Sequence, residues 1–385
     1  MTGRQEPTIG TPGLVRSAIW FDKLSKPTSP REFKRMRIDF IVPTPFNVLT
    51  GGTLYDRHMT DRWREAGHSV VIHELAGQCP VPDEAAFATA ERIWEGVAGA
   101  DAVVIDNMAL AAFDPVGERL AVHPTVVLDH HPTGLETGLD PDSRVRLIQI
   151  EKRLLPYARH VVVTSQATAV TLTVQFGVPA ERMTVIEPGT APAPRSAGSG
   201  TAVVNILAIG SLIPRKGHDI LLRALARLFD LDWRLTIAGG DRLDPVTADG
   251  LRALPEELGI AGRVRFYGEM SGQPLTQLWH EADLFALATR YEGYGMAIAE
   301  ALKRGLPVAV CNGGAAGALV SPQSGVVCPV GDVDQLSKAL RRVIFDERLR
   351  RSMADAAWAI GQSLPDWPAQ ADLFARVLAA HSGNK

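Results

Sequence analysis

Two glutamates, Glu292 and Glu300, bracket seven residues that carry no other charge in the stretch TRYEGYGMAIAEALKRGLPVAV, 289 to 310. Gly293 and Gly295 stand between them and let a ligand approach the backbone closely. Residues 295 to 305 have helical composition, so Glu300 falls within the first two turns, among the small or apolar Ala297, Ile298, Ala301 and Leu302. An acid near a helix N-terminus stabilises the helix by about 0.3–1 kcal/mol. That accounts for one glutamate, not for two around Gly-Tyr-Gly. A buried carboxylate needs hydrogen-bond donors. The paired hydroxyls of a ribose or a hexose supply them, at roughly 1.5–3 kcal/mol for each bond to a charged group.

A second stretch, GSLIPRKGHD (210 to 219), follows an apolar run and precedes a helical pattern that starts near Gly217. Gly210 permits close approach, Arg215 and Lys216 offer cationic donors, and a helix start presents free N–H groups. Together they suit a diphosphate; the plainer reading is a solvated turn. No GK[ST] is present, so this is not a Walker P-loop. AGGDR (238 to 242) is another glycine-rich strand exit. The pair His130-His131 ends a further apolar run, where a polar exit is the plain reading. The other histidines share no metal-ligand spacing. The Asp-x-Asp pairs at Asp140/Asp142, Asp230/Asp232 and Asp332/Asp334 fall in turns or at a helix start, where Asp caps well, so no metal site is expected.

These stretches need strands to carry them. From Met36 onward short β-branched runs (MRIDFIV, SVVIHEL, DAVVID, TVVLD, HVVVTS, MTVIE) alternate with helical patterns, the mark of βαβ units and a parallel sheet. TPFNVLTGG (44 to 52) reads as a loop and TLYDRHMTDRWREAG (53 to 67) as a helix. The Pro-, Gly- and Ala-rich segment 188 to 202 reads as a linker, after which the alternation restarts. The expected fold class is therefore α/β with two Rossmann-like domains. They span 36 to 187 and 203 to 362, behind an extension of 35 residues and ahead of a last helical segment, 363 to 385.

Composition bounds the function. The 385 residues include 46% hydrophobic and 22% charged residues and a net charge of −3, with no basic excess that would point to nucleic acid. Cys79, Cys311 and Cys328 are far apart and read as core residues of a reducing, cytoplasmic protein. No apolar run reaches the roughly 18 residues of a membrane span. The extension holds seven Lys/Arg against three Asp/Glu, and 14 to 24 could form an amphipathic helix; it reads as loosely docked, with a peripheral membrane or partner contact as the sharper alternative.

Glu292-x7-Glu300 with AEALKRGLPVAV behind it, and PRKGHDILLRAL upstream, resembles the retaining glycosyltransferases of family four, which have the GT-B fold. TGGTLYDRHM, LDHHPTGLETGLD, VVVTSQAT, GVPAERMTVIEPGT and GVVCPVGDVDQLSKAL extend the resemblance over nearly the whole chain after Met36. The resemblance implies that Glu300 bonds the ribose of a nucleotide. Glu292 then orients the donor sugar, with the backbone of Gly293, Tyr294, Gly295 and Met296 close by. It gives Arg215 and Lys216 to the leaving diphosphate, with Gly210, Ser211 and Gly239 lining the donor site. Gly51 and Gly52 would face the phosphates or the acceptor, and one of His130 and His131 the reacting carbon, the family pattern favouring His131. Many members carry an arginine where Ser211 stands; here the arginine abuts the lysine as Arg215. The implied co-substrate is a UDP-, GDP- or ADP-linked sugar, with no further cofactor, and the acceptor is open. An epimerase of the same fold and a noncatalytic sugar-nucleotide binder are the rival readings.

Overall fold

The computed structural model describes residues 35 to 383, so the N-terminal extension and its amphipathic pattern lie outside the described residues. In the first domain the order is β1 (Arg37–Pro43), α1 (Gly51–Glu65), β2 (Ser69–Leu75), α2 (Glu84–Gly96), β3 (Ala102–Asp106), α3 (Asn107–Leu110), β4 (Thr125–Asp129), α4 (Pro141–Leu154), β5 (His160–Val163), α5 (Gln166–Thr171) and β6 (Met183–Val185). The second domain continues with β7 (Val204–Ile209), α6 (His218–Ala226), β8 (Trp233–Ala238), α7 (Pro245–Glu257), β9 (Val264–Phe266), α8 (Gly272–Glu281), β10 (Leu284–Leu287), α9 (Met296–Lys303), β11 (Val308–Cys311) and β12 (Gly325–Cys328). Three helices close the chain, α10 (Val333–Phe345), α11 (Glu347–Ser363) and α12 (Trp367–Ala380).

Each domain has a six-stranded parallel sheet, ordered β2-β1-β3-β4-β5-β6 and β12-β11-β10-β7-β8-β9. Both Rossmann-like halves expected from the alternation are therefore present. Period-two patterning explains why both faces of each sheet are covered. Ile38, Phe40, Val104 and Val126 point to one side, with α1 and α12; Ile41, Val103, Ile105 and Val127 point to the other, with α2 and α4. In the second sheet Ile206, Leu235, Ala286 and Ala309 pack under α6, α7 and α10, while Leu207, Phe285 and Val310 face α9 and Trp279.

Two connections differ from their sequence reading. The loop after β1 ends at Thr50, whose side chain caps α1, so Gly51 and Gly52 occupy the helix's first turn instead of the loop. Thr50 and Thr53 satisfy each other's backbone N–H groups reciprocally, which starts the helix earlier than its apolar periodicity does. The linker has no regular element, yet it is stitched down: Thr190 N–H donates to Pro365 O at 2.8 Å and Ser196 N–H to Arg304 O at 2.9 Å.

The final helix α12 follows α11 of the second domain but buries its apolar face in the first. Phe374 meets Trp63 edge-on at 5.1 Å, and the Trp63 indole N–H donates to Ala371 O at 3.1 Å. Trp367 stacks on His58 at 4.1 Å. Trp358, on α11, packs over Gly305 and under the Arg195 guanidinium. Truncating the fully buried Phe374 to alanine should cost about 3–5 kcal/mol, read as a lowered urea midpoint.

Candidate active site

The basic turn is built against a neighbouring strand exit. After β7, Gly210 leads into a single 3₁₀ turn at Pro214–Lys216, and Gly217 then takes a left-handed conformation with φ 64°. A Cβ on Gly217 would collide with the Ala288 carbonyl, so only glycine lets the two backbones meet. Arg290 N–H donates to Arg215 O at 2.7 Å, and the Arg290 guanidinium makes two bonds to Asp219 at 2.9 and 2.8 Å. The residues after β10 therefore hold the basic turn rigidly. On the other side a Cβ on Gly239 would strike the Gly210 carbonyl, so Gly239 is where two strand exits abut. Ser211 lies half-buried beside them.

Charge then closes the arrangement. The stem of Lys216 runs along Gly210, and its Nζ donates to Glu292 Oε1 at 2.7 Å. Burial pushes the Glu292 carboxyl up, but Lys216 and Arg215 outweigh it and hold the group below the usual range. Burial also pulls the Lys216 ammonium down, against the opposing effect of Glu292. Arg215 donates from Nη1 to Tyr291 O at 3.0 Å and lies 3.9 Å from Glu292 Oε2.

The first domain meets this cluster directly. Glu136 puts one carboxylate oxygen 3.0 Å from Arg215 Nε and the other 2.9 Å from His131 Nε2, at ion-pair distance. The Tyr291 ring packs on His131 at 5.4 Å. Gly293 lies so close to the His130 carbonyl that a Cβ would not fit. A Cβ on Gly51 would sit 3.8 Å from Met296 Sδ, so the N-terminal turns of α1 and α9 face each other across the domain boundary. First-turn N–H groups have no partner within their helix. Neither helix has an acid in that turn, so both present unneutralised positive ends. Gly295, in the left-handed region at φ 105°, aims α9 at this spot.

The two neighbouring histidines take different tasks. His131 belongs to the Glu136–Arg215 seam. The His130 ring lies on Gly52, 3.4 Å from where a Cβ would stand, and its Nε2 is 3.1 Å from Asp56 Oδ1. Glu300 follows one turn into α9; its carboxylate has no ion-pair or hydrogen-bond partner among the described residues. Burial raises it, with Arg304 pulling the other way. Tyr294 is buried, its hydroxyl unpartnered and its ionisation pushed up by burial and by Glu187.

Sequence reasoning assigned no role to Glu136, Tyr291, Asn107, Asp56 or Asp106. Asn107 clamps the histidine pair, donating to His131 O at 2.6 Å and accepting from His130 N–H at 3.2 Å. The available signal was their place at strand exits: Asp106 ends β3, Asn107 follows it, and Glu136 follows β4 by seven residues. The Asp-x-Asp acids lie elsewhere: Asp140 and Asp332 cap α4 and α10, and Asp230 pairs with Arg341 at 2.7 Å.

Arg215 and His131 together hold Glu136 down at about 2, although burial alone would raise it. A carboxyl depressed on folding stabilises the closed form above its unfolded pKa of 4.5, and that contribution fades as pH falls toward about 2. Glu136→Gln should therefore unfold more easily than the parent at pH 7. The difference between their urea midpoints should shrink below about pH 4.5.

Comparison with known proteins agrees with this architecture. Residues 197–358 match the family described as glycosyl transferases group 1. The chain is 27% identical over 235 residues to a D-inositol 3-phosphate glycosyltransferase of Corynebacterium glutamicum, covering 56% of each chain. It is 29% identical over 212 residues to a GDP-mannose-dependent monoacylated alpha-(1-6)-phosphatidylinositol monomannoside mannosyltransferase of the same species, covering 52% of this chain and 54% of that one. The chain thus spans about half the length of the curated relatives it matches. Among solved structures, sucrose-phosphate synthase from Thermosynechococcus elongatus superposes with a TM-score of 0.76 at 20% identity, covering 90% of this chain and all of that one. HepE from Anabaena, solved with UDP-glucose, gives 0.74 at 20% identity with the same coverage. No helix among the described residues is long and apolar enough to cross a membrane. The match to the group 1 glycosyltransferases lies over the second domain, and the two parallel-sheet domains share the GT-B fold of the solved structures on which they superpose.

Proposed function

We propose that the chain transfers a sugar from a nucleotide-diphosphate sugar to an acceptor hydroxyl, with retention at the anomeric carbon. One observation carries this reading. Lys216, Arg215 and the acid-free N-terminal turns of α1 and α9 meet at one place between the two domains. Negative charge develops on the diphosphate as the anomeric bond breaks, and donors fixed in advance stabilise it without reorganising. Lys216 and Arg215 are the side-chain cations of this set, and Glu292 and Glu136 hold them in position.

The remaining roles follow from placement. Glu300, unpartnered in the first turns of α9, takes the ribose hydroxyls; their bonds offset the burial that raises it. Glu292 has its charge committed to Lys216 and Arg215, which suits orienting the donor over attacking it. Gly293, pressed on the His130 carbonyl, brings the donor loop against the first domain, and that closure keeps water from the reacting carbon. The nucleotide sugar is the co-substrate and no other cofactor is needed, because cations and helix termini supply the positive charge. Three free cysteines suit a reducing cytoplasmic setting. The acceptor surface is the first domain's loop 44 to 50 and the segment from His130 to Asp142.

A donor screen by nucleotide release tests the reading. Its first arms are GDP-mannose and UDP-glucose, the donors carried in the names of a relative and a neighbour, then ADP-sugars. Inositol phosphates and simple polyols serve as first acceptors. Lys216→Ala should lower turnover at least about tenfold, within the 10²–10³ that a lost oxyanion-type donor commonly costs. Unchanged turnover would remove the diphosphate role. Glu300→Ala should raise the donor KM more than it lowers kcat. Activity should persist in EDTA, and NMR of the product should show the donor's anomeric configuration. An isomerised nucleotide sugar without transfer would favour the epimerase reading.

A further inference from the structure

Behind the cleft lies a buried group of acids that the proposed reaction does not use. Asp56 of α1 is 0% exposed and Asp106, at the end of β3, is 2% exposed. One oxygen of each and a ring nitrogen of His130 all lie within 4.8 Å of one another. Asp106 Oδ1 accepts from Met108 N–H at 2.8 Å, and the Asp106 carboxyl also hydrogen-bonds that of Asp56. Asp56 Oδ1 faces His130 Nε2 at 3.1 Å, while Asp56 Oδ2 is buried without any ordinary donor.

Two carboxylates cannot both stay ionised side by side where water is excluded. Asp56 Oδ2 has no ordinary donor, so a proton held between the two acids is what can satisfy it. Burial raises both acids above the ordinary carboxylate range, and their mutual hydrogen bond acts to lower Asp56 and raise Asp106. The pair holds one proton between its two carboxyls, and Asp56 Oδ1, turned to the ring, is left an acceptor. An acceptor there requires the N–H of His130 at Nε2. Burial lowers His130, which keeps the ring neutral, with Nδ1 unprotonated. Tyr55 also faces this ring, edge-on at 5.3 Å.

We propose that Asp106 and Asp56 form a proton-sharing relay that positions His130, fixing it as the neutral Nε2–H tautomer so that Nδ1 accepts a hydrogen bond from a substrate hydroxyl. The relay is a property of the unliganded protein; its value in turnover rests on the glycosyltransferase reading above. Asp56 and Asp106 are positioning residues, acting through the histidine that lies on Gly52 at the mouth of the donor site.

Long-range ¹H–¹⁵N NMR of histidine-labelled full-length protein at pH 7 tests it, with the His130 signal assigned by its loss in His130→Gln. The expected pattern is a neutral Nε2–H imidazole. Asp56→Asn should abolish that pattern and lower kcat at least about tenfold, with the donor KM changed less than about threefold. Asp106→Asn, whose amide donates in place of the shared proton, should keep the His130 signal, and Asp106→Ala should shift it. An imidazolium, an Nδ1–H tautomer, or one bound metal per chain by elemental analysis would overturn the proposal, as would Asp56→Asn with an unmoved signal. Should Asp56→Asn not fold, the parent and the two Asp106 variants still decide. A correct NMR pattern with no transfer from any donor would sink the glycosyltransferase reading and leave the relay standing.

Discussion

A carboxylate and an ammonium 2.7 Å apart, Glu292 and Lys216, tie the exit of β10 to the exit of β7. The pair is nearly buried, with side-chain exposures of 8% and 17%. Burying such a pair contributes little net stability, because desolvation consumes most of the attraction. Removing one partner is different: the charge left behind costs about 3–5 kcal/mol. The ion pair thus works as a constraint on geometry. It holds a cation at the place where a diphosphate would need one, and it keeps an acid beside the donor loop without freeing that acid for other chemistry.

A second constraint is the closeness of backbones. Gly217 against Ala288, Gly239 against Gly210, and Gly293 against His130 are three places where a side chain would force elements apart. The first two bind the loops of one sheet together; the third brings the other domain onto them. Arg215 joins this seam. Where relatives of the resembled family place an arginine after the strand's glycine, this chain has Ser211, and the displaced arginine reaches across to Glu136. One guanidinium therefore serves both closure and charge. In the proposed reaction this links the grip on the donor to the approach of the first domain.

Polar groups behind the cleft complete the picture. Asn107 orders the backbone of both histidines, and the two buried acids order one ring. Such supports lie one layer from the chemistry, where a buried polar group persists only when its partners are satisfied. They explain why adjacent histidines can face different neighbours: successive residues at a strand's end point to opposite sides.

Much of this was legible in the chain itself. Strand runs and helical stretches alternate because a parallel sheet buries both its faces, so β-branched runs and amphipathic helices announce two Rossmann-like domains without coordinates. Glu292, Glu300, Arg215 and Lys216 stood out because charges at glycine-rich strand exits have few structural reasons to be there. What local pattern could not decide was partnership. Thr50's cap set the start of α1 against the periodicity, since a hydrogen bond between side chain and backbone leaves no trace in apolar spacing. Glu136 and Arg215 are 79 residues apart, and Asp56 and His130 are 74 apart. Only the folded arrangement of two sheets brings such pairs within reach, because ion pairs and shared protons depend on distance in space, which sequence spacing does not encode beyond a turn or a strand.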